Sequence, residues 1–490
     1  MDAFAEAQYV IEELTEVIEN HSGGGGNISV LQVTTHNADW IGETITATNG
    51  VETVTGTLTS VAPALTPTGY CTLQVHYIGS YNLTVDDITE KVIVMDLGEV
   101  KAVDMEPYHI YGYKKAKNDS NPYTRVTYTD GAENFTPLTR DFDEDTTDLG
   151  SWEGTFILDA FRPLMLSFSG DVVYELDHQD QRKRLDGQAS DISNTSFNGN
   201  AMVGVKTLWF YRYEDTAYEY VKIADKKIDS NYKAHAHTAN DGETILDEVY
   251  LPMFEGASIN GKVRSLAGQT PMNSETGSTE KTQIEANGSG WQFDDHSNHE
   301  MIRDVLTLLG KSTNGDAVFG KGHNSGGSGA ASLLTTGTKK DKGMFSCKNN
   351  NDAVKVLWLE NYWGDRWDRT YGAIYDTAGV LKIKMFPPYN TDGTGYRNTG
   401  VTISGTSGGY ISETTMTEYG MLPKVVSGSE STFECDGCWW NTTQVNFSLR
   451  GGCCDDGSRC GFSSWLVYAL FSNADWPVGP SLSYKRPVAA

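Results

Sequence analysis

The sequence predicts a mainly β protein whose larger part is a domain of mixed α+β class. Its 490 residues include 51 glycines and 25 tyrosines, and only 21% of them are charged, which is typical of a loop-rich β protein with many aromatic contacts. Short alternating strands separated by turn residues fill the first hundred residues. A single long helical pattern stands out in the rest. We therefore expect an N-terminal helix, a small β-sandwich and one large α+β domain.

The charge balance argues against several classes of partner. Lysine and arginine number 38 against 65 aspartates and glutamates, a formal net charge of -27. Nucleic-acid binding through phosphates needs the opposite sign, and acidic proteins are repelled by anionic membrane surfaces. No apolar run approaches the roughly 20 residues that a membrane span requires. We expect neither nucleic-acid binding nor membrane insertion.

Residues 1–26 are expected to form a helix and a glycine-rich linker. Apolar residues follow a helical stripe over 2–20, and carboxylates fill the other face. The run 22–26 is one serine and four glycines, a flexible linker. A lone helix of this length is marginal in water, so residues 1–21 are predicted to anchor or oligomerise the protein, the alternative being a frayed terminal helix. This acidic N-terminus has no basic n-region, so no signal peptide is expected.

Residues 27–104 are predicted to form a small β-sandwich. Alternating segments recur at 28–33, 44–48, 53–58, 81–85 and 91–95, and Asn49-Gly50 is a hairpin signal between two of them. The pattern is typical of an immunoglobulin-like or carboxypeptidase-regulatory-like module. We interpret it as a spacer rather than a weak carbohydrate-binding module.

Residues 105–490 show no comparable break and are predicted to be one domain. A helix is expected over about 295–310, with Asp294 and Asp295 as capping residues and Gly310 as the C-cap candidate. Segments 200–223 and 353–385 indicate strands. The polar segments 271–290 and 322–330 are predicted to be loops.

Two motifs raise the question of metal binding. Asp141, Asp143 and Asp145 alternate as in a calcium loop, but Thr146 replaces the turn glycine, so a solvated acidic loop is favoured and Ca²⁺ is the alternative. His235-Ala-His237 would place two imidazoles on one face of a strand, and we favour a structural role. No cofactor is expected.

The seven cysteines also leave zinc open. Cys435, Cys438, Cys453 and Cys454 have a spacing that resembles a zinc ribbon or knuckle. With an odd count and no signal peptide, buried free thiols are the favoured interpretation. No nucleotide-binding loop, nucleophile elbow or zinc-protease motif is present, so we expect no enzymatic activity.

The stretch 450–483 combines a regular frame with chemically unrelated residues. The frame consists of these residues: Gly451, Gly452, Gly457, Cys460, Gly461, Trp465, Ser472, Asn473, Ala474, Trp476, Gly479 and Leu482. Between them lie residues with no hydrophobic period, which we predict to form a ligand-binding surface: Asp455, Asp456, Arg459, Ser463, Ser464, Leu466, Tyr468, Ala469, Asp475 and Pro477. A rigid frame that holds unrelated side chains suits recognition better than catalysis.

Two segments resemble the C-type-lectin fold of the formylglycine-generating-enzyme group. The run Glu360-Asn361-Tyr362-Trp363-Gly364, with a looser continuation over 365–368, resembles its Asn-x-Trp-Glu-Trp element. Arg450-Gly451-Gly452 resembles the Arg-Gly-Gly that begins its last strands. The resemblance implies a C-type-lectin-like domain over most of residues 105–490.

The tail is also similar to the variable region of proteins diversified by a retroelement. There, template Asn codons change to NNY codons, which cannot encode Trp, Lys, Glu, Gln or Met. All ten residues of the predicted surface are NNY-accessible, and no Lys, Glu, Gln or Met lies between Gly451 and Ser483. At ordinary usage of about 20% for those four, several would be expected.

The resemblance implies a bacteriophage tail or fibre-tip protein that binds a host surface protein or glycan. We expect a homotrimer located in the virion, assembled in the host cytoplasm, with residues 1–21 contacting other tail proteins. Two alternatives are a bacterial adhesin or lectin, and a formylglycine-generating-type oxidase with a copper-binding cysteine pair. Adjacent residues on a strand point apart, so Cys453 and Cys454 are poor candidates for such a pair.

Overall fold

The computed structural model describes residues 29–35, 42, 44–48, 53–57, 59–60, 69–75, 79–85, 88–94, 109–348 and 351–488. The chain divides into two compact units, 1–107 and 108–490. Strands far outnumber helices among the described residues, so the prediction of a mainly β protein is confirmed. The helix expected over 2–20 lies outside the described residues.

Seven short strands lie among the described residues of the N-terminal unit. They are β1 (Ser29–Thr35), β2 (Thr44–Thr48), β3 (Thr53–Thr57), β4 (Thr59–Ser60), β5 (Gly69–Val75), β6 (Gly79–Val85) and β7 (Ile88–Val94). They form two antiparallel sheets with the orders β1-β5-β4 and β3-β2-β6-β7. The five predicted strands overlap β1, β2, β3, β6 and β7, while β4 and β5 were not predicted. The immunoglobulin-like class stays a prediction.

The C-terminal unit is built on three larger sheets and several two-stranded ones. Its strands are β8 (Ile110–Ala116), β9 (Val126–Asp130), β10 (Thr139–Asp141), β11 (Thr146–Asp148), β12 (Phe161–Ser167), β13 (Val172–Glu175), β14 (Gly199–Lys206), β15 (Trp209–Glu214), β16 (Tyr218–Ala224), β17 (Glu248–Pro252), β18 (Ala257–Ile259), β19 (Lys262–Arg264), β20 (Trp291–Phe293), β21 (Lys355–Val356), β22 (Leu359–Glu360), β23 (Trp367–Tyr375), β24 (Leu381–Ile383), β25 (Arg397–Asn398), β26 (Ser404–Gly405), β27 (Gly409–Thr417), β28 (Gly420–Val426), β29 (Gly437–Trp440), β30 (Asn446–Gly451), β31 (Gly461–Ala469), β32 (Val478–Pro480) and β33 (Leu482–Tyr484).

One large curled sheet carries most of the C-terminal third of the chain. Its strand order is β25-β24-β23-β30-β31-β29-β27-β28-β26, and β32 pairs with β23. A six-stranded sheet has the order β13-β12-β14-β17-β33-β20, and a four-stranded sheet the order β15-β16-β8-β9. The strands expected within 200–223 and 353–385 are confirmed.

The unit contains four α-helices among the described residues. They are α1 (Phe156–Asp159), α2 (Gly277–Glu285), α3 (His296–Gly310) and α4 (Gly315–Phe319). The predicted long helix is α3, and the Asp295 carboxylate caps it by accepting a 3.1 Å hydrogen bond from the Asn298 backbone N–H. Its C-cap is Lys311, in the left-handed conformation, so the assignment of Gly310 as C-cap was wrong by one residue.

The loop prediction for 271–290 was wrong, because α2 lies inside it. The segment is too polar to show an amphipathic period, but Thr276 caps the helix and Ile284 and Glu280 are buried. Arg369 of β23 donates from Nε to the Glu280 carboxylate at 2.6 Å. This contact with a residue 89 positions away stabilises a helix whose local signal is weak.

Every residue of α3 is buried, including its charged ones. Arg212 of β15 donates from Nε to Asp304 at 2.6 Å, and Arg450 of β30 lies 3.3 Å from the Glu300 carboxylate. Within the helix, Arg303 lies 3.0 Å from Glu300. Buried charges need such partners, so these ion pairs tie the helix to two different sheets.

Candidate functional site

The predicted ligand-binding stretch 450–483 contains β31, which is an interior strand of the curled sheet, and β32, which pairs with β23. β31 lies between β30, antiparallel to it, and β29, parallel to it. Downstream, β32 runs parallel to β23. β31 therefore has a neighbouring strand on each side, and these are the two strands that directly precede it in the chain.

The two sides of β31 differ sharply in environment. Trp465 and Val467 are fully buried on one side, where Trp465 packs with Cys438 and the Arg450 guanidinium lies 3.2 Å from its ring centroid. Leu466 is partly buried on the other side, and Tyr468 is 55% exposed. The alternation follows from the two-residue period of a strand. The assignment of Trp465 to the frame agrees with this burial.

Leu466 belongs to a small aromatic cluster that reaches the surface. It pairs in register with Trp439 of β29, and Trp439 packs edge-on against Trp367 with 5.2 Å between ring centroids. The Arg459 guanidinium lies 5.3 Å from the Trp439 ring, a cation–π contact. We call Trp439, Arg459, Leu466 and Tyr468 the tail face.

Asp455 and Asp456 lie on the loop that precedes the Gly457–Arg459 turn. Asp455 is exposed and Asp456 is partly buried. The Cys453 thiol lies 3.0 Å from the Asp455 carboxylate and 2.9 Å from that of Asp456. Among the described residues, this is the one set of three or more His, Cys, Asp or Glu side chains whose ligand atoms all lie within 4.8 Å.

That set is a poor zinc site as it stands. Burial raises the pKa of the Cys453 thiol far above its usual range, and the neighbouring Asp456 carboxylate raises it further. Zinc binds thiolate, and its structural sites use four ligands where this cluster offers three. The Asp456 pKa is itself raised by burial, so the cluster favours its protonated state.

The last part of the predicted surface lies beside the aromatic cluster. Asp475 is exposed, and Pro477 is partly buried, with its carbonyl accepting from the Trp367 backbone N–H at 2.6 Å. Trp476, which was assigned to the frame, is only partly buried. An indole at the surface can contribute to binding as well as to shape.

Three of the predicted surface residues are not at the surface. Ser463 and Ser464 are fully buried and Ala469 is 6% exposed, so their assignment to an exposed surface was wrong. The Ser463 backbone N–H donates to Asp436, and the Ser464 hydroxyl donates to the Arg459 carbonyl at 2.6 Å. The turn containing Arg459 covers the first half of β31, which the strand period alone could not indicate.

Sequence reasoning missed Trp439, because it lies eleven residues before the stretch that was singled out. Its signal is the run Cys438-Trp439-Trp440, in which two adjacent aromatic residues must point to opposite sides of a strand. Both tryptophans are partly buried. Trp439 thus forms the part of the tail face that a change within 450–483 would leave in place.

A steric clash explains why Gly452 of the frame is a glycine. Its φ is 87°, and a Cβ there would lie 2.6 Å from the Cys460 sulfur. Gly451 also has a positive φ, 93°. Both conformations favour glycine, and they let β30 turn away before the acidic loop begins.

The residues that carry the lectin-fold resemblance are buried structural elements. Trp363 is fully buried, and Glu360 accepts from the backbone N–H groups of Gly337 at 2.7 Å and Lys339 at 2.9 Å. Arg450 donates from Nη2 to His296 Nδ1 at 2.8 Å. Burial and the Arg450 charge hold the His296 pKa well below its usual range, which keeps this imidazole a neutral acceptor.

The acidic segment 141–145 does not converge on a shared centre. Asp145 turns inward, where its carboxylate pairs with Arg140 at 2.6 Å and accepts from the Ser346 hydroxyl at 2.8 Å. Asp141 and Asp143 are exposed, and Asp141 accepts from the Asp143 backbone N–H at 3.0 Å. These contacts are those of a structured acidic turn.

His235 and His237 lie on a 3₁₀ turn rather than on a strand. Burial lowers the pKa of His235 to about 3 and that of His237 to about 4, so both are neutral. His237 Nε2 lies 3.0 Å from the Val205 carbonyl, and the His235 ring lies 5.9 Å from that of Tyr419. Both contacts are structural.

Six of the described cysteines are buried: Cys347, Cys435, Cys438, Cys453, Cys454 and Cys460. Burial raises the pKa of Cys454 to about 12 and that of Cys438 to about 12. The thiols therefore remain protonated near neutral pH and are weak nucleophiles. Cys71 lies where side chains are not described.

Comparison with known proteins gives no assignment. No protein-family model matches the chain, and no curated protein matches it. In the part of the chain that the structure describes, no helix combines the length and apolar character that a membrane span requires.

Proposed function

We propose that this chain is a receptor-binding protein of a bacteriophage tail or fibre tip, and that the tail face contacts the host receptor. The observation that carries the proposal is the separation of roles along β31. Trp465 and Val467 pack inward, while Leu466 and Tyr468 point outward. Outward residues can change without disturbing the packing that holds the strand, which is what a variable recognition surface requires.

The composition of the tail face suits a protein or glycan ligand. Tyrosine, tryptophan and arginine are the residues that most often dominate binding energy at interfaces. Tyr468 and Trp439 offer aromatic surface, Arg459 offers a cation, and Asp455 supplies an exposed carboxylate at the rim. Each contact is modest, so we expect a homotrimer to raise the avidity, with residues 1–21 joining the protein to other virion components.

The oxidase alternative receives less support from the cysteines. Cys453 lies against Asp455 and Asp456, whereas the Cys454 thiol lies 3.3 Å from the Gly327 carbonyl. The two sulfurs thus face different surroundings, and both are held protonated by burial. The tail face fits a bacterial adhesin equally well, and the location of the protein decides between that and a virion protein.

The test compares binding of the purified chain to a panel of bacterial strains by flow cytometry. For a strain that the wild type labels, replacing Tyr468 and Arg459 by alanine should weaken labelling by about tenfold or more, since hot-spot residues contribute about 2 kcal/mol or more each. The matched control is Thr127→Ala, an exposed position on β9 of a different sheet, which should label like wild type.

Equal labelling by wild type and the double variant would refute the tail face as the binding site. A second observation tests the wider proposal. The DNA beside the gene should contain a reverse transcriptase gene and a near-repeat of the region that encodes 450–483, with differences confined to adenines of the repeat. Neighbouring DNA with neither feature would contradict the diversified-phage-protein assignment.

A further inference from the structure

The four-stranded sheet β15-β16-β8-β9 has one buried side and one side that is partly exposed. Phe210, Val221 and Tyr113 are buried on the inner side, and side chains alternate along a strand, so their neighbours point outward. Four of those neighbours are tyrosines on two adjacent strands. We define the tyrosine face as these outward, partly exposed residues of β15, β16 and β8: Tyr211, Tyr213, Tyr218, Tyr220, Lys222 and Lys114.

The four tyrosine rings form one continuous row. Tyr213 lies opposite Tyr220 in the strand register, and their rings are 4.5 Å apart with an interplanar angle of 4°. The Tyr211 ring lies 4.5 Å from that of Tyr213. The Tyr218 ring lies 6.0 Å from that of Tyr220 and 4.7 Å from the Lys114 ammonium. The rings therefore support one another, and a ligand would not have to immobilise them on binding.

Three of the four phenol hydroxyls are free to bind a ligand. Tyr220 donates to the Asp215 carboxylate at 2.9 Å. The hydroxyls of Tyr211, Tyr213 and Tyr218 have no hydrogen-bond partner among the described residues. Each phenol can donate one hydrogen bond and accept others, so the face offers both kinds of contact.

The charges on and beside the tyrosine face balance. The Lys222 ammonium pairs with Asp130 at 2.8 Å, while Lys114 and Asp215 add one charge of each sign. The chain as a whole carries a net charge of -27, so it repels anionic polymers such as nucleic acids. This face has no excess positive charge to offset that repulsion, and it therefore suits a neutral ligand.

The composition of the tyrosine face favours a sugar polymer over a protein. The cores of protein–protein interfaces are depleted of lysine, whereas Lys114 and Lys222 lie among the rings here. A neutral hexose chain presents carbon-bound hydrogens and many hydroxyls. Tyrosine offers an apolar ring and a hydroxyl in one side chain, so it meets both needs. A row of such rings on a rigid sheet suits an extended chain of repeating units.

We propose that the tyrosine face binds a neutral polysaccharide of the host surface, as an accessory site separate from the tail face. The rings pack against the sugar units, and the free hydroxyls of Tyr211, Tyr213 and Tyr218 hydrogen-bond to the sugar hydroxyls. The binding of a neutral polysaccharide is independent of the proposed function, whereas its location on the host cell rests on that function.

The position of the tyrosine face decides what such a site contributes. It lies on β8, β15 and β16, outside the stretch 450–483, so a change in the tail leaves its chemistry unaltered. The face is a row on an open sheet and not an enclosed pocket, so each chain binds the polymer weakly. Labelling of cells therefore still depends on the tail face.

The test is affinity electrophoresis of the full chain in native gels that each contain one polysaccharide. The probes are dextran, β-glucan, mannan, galactan and the neutral polysaccharide fraction of a strain that the chain labels, with alginate as the anionic polymer. At least one neutral polymer should retard the wild type. Replacing Tyr213 and Tyr220 by alanine should raise the dissociation constant at least about tenfold, because the centre of the row is lost.

A milder variant separates binding from folding. Tyr213→Phe keeps the ring in the row and removes one free hydroxyl, so it should raise the dissociation constant about threefold at an unchanged Tm. If the double alanine variant does not fold, Tyr213→Phe carries the comparison.

Two matched controls separate this face from other exposed surfaces. Tyr123→Ala removes a tyrosine that is 52% exposed and lies between β8 and β9, and it should be retarded like wild type. The variant with Tyr468 and Arg459 replaced by alanine should also bind the polysaccharide like wild type, although it labels cells weakly. Failure of the tail face and failure of this proposal are therefore distinguishable.

Three results would overturn the proposal. They are retardation of the wild type by none of the neutral polymers, stronger retardation by alginate, and equal retardation of the wild type and the variants of the tyrosine face. Sedimentation velocity tests a protein as the competing occupant. A wild-type oligomer that dissociates when Tyr213 and Tyr220 are replaced would assign the face to a second copy of this chain instead.

Discussion

The inward and outward sides of β31 place opposite demands on the same nine residues. Trp465 and Val467 are enclosed by side chains from β29, β30 and the core, whereas Leu466 and Tyr468 meet a thin aromatic layer and solvent. A strand can therefore keep its register through one side while the other side varies. The arrangement separates stability from recognition without moving the backbone.

The largest expected effect is on the inward side. Trp465→Ala should destabilise the C-terminal unit by about 3–5 kcal/mol, because it empties a fully buried site and removes the ring that faces the Arg450 guanidinium. Urea unfolding monitored by circular dichroism measures the change. Trp439→Ala is the comparison and should cost clearly less, because Trp439 is only partly buried. Equal losses would mean that the two sides of β31 are not distinct.

A second experiment tests where the outward side begins. Ser464→Arg should destabilise by about 1–3 kcal/mol, because the buried hydroxyl site under Arg459 has no room for a guanidinium. Tyr468→Arg, four residues further on the same strand, should change stability by about 0.5 kcal/mol or less. Thermal unfolding of both variants gives the comparison. If Ser464→Arg left the thermal stability unchanged, the Ser464 side chain would have to be exposed.

A smaller effect is expected from pH, and it concerns the strand beneath the tail face. Asp368 faces Arg366 and Glu255, and burial raises its pKa from 3.8 to about 7. Between these values the unfolded chain releases the Asp368 proton more readily than the folded chain, so this group lowers stability as pH rises through that window. The unfolding free energy of Asp368→Asn should therefore gain on that of wild type by on the order of 1 kcal/mol from pH 4 to 7.

Parallel stability curves for the two proteins would show that Asp368 ionises normally in the folded state. Asp143→Asn is the control for a general charge effect, because Asp143 is exposed and its change should leave the pH profile unaltered.

Local sequence patterns correctly predicted the helices and strands that are determined by residues close together in the sequence. The apolar stripe of α3 and its Asp295 cap are visible within sixteen residues, and the alternation that marks β1, β2 and β3 repeats every two residues. Local signals failed at α2, whose polar sequence hides a capped helix stabilised by Arg369. They also failed at Ser463 and Ser464, where a turn covers a strand.

The candidate site was partly predictable for the same reason. Arg459, Leu466 and Tyr468 stand out as unrelated residues between frame positions, and the structure leaves them partly or well exposed. Trp439 was not predictable, because it belongs to a strand that becomes the parallel neighbour of β31 only after the sheet forms. Glu255, Asn361 and Asp368 line one small cavity, and only folding brings these residues together.

By itself, the sequence determined the charge of -27, the mainly β class, the long helix and the glycine positions that turn the chain. These properties depend on composition, on periods of two or 3.6 residues and on local backbone freedom. Only the tertiary structure decided which tail residues are exposed, that Trp439 joins them, and which carboxylates are buried. Burial and charge pairing depend on contacts between residues up to hundreds of positions apart, and no local pattern records those.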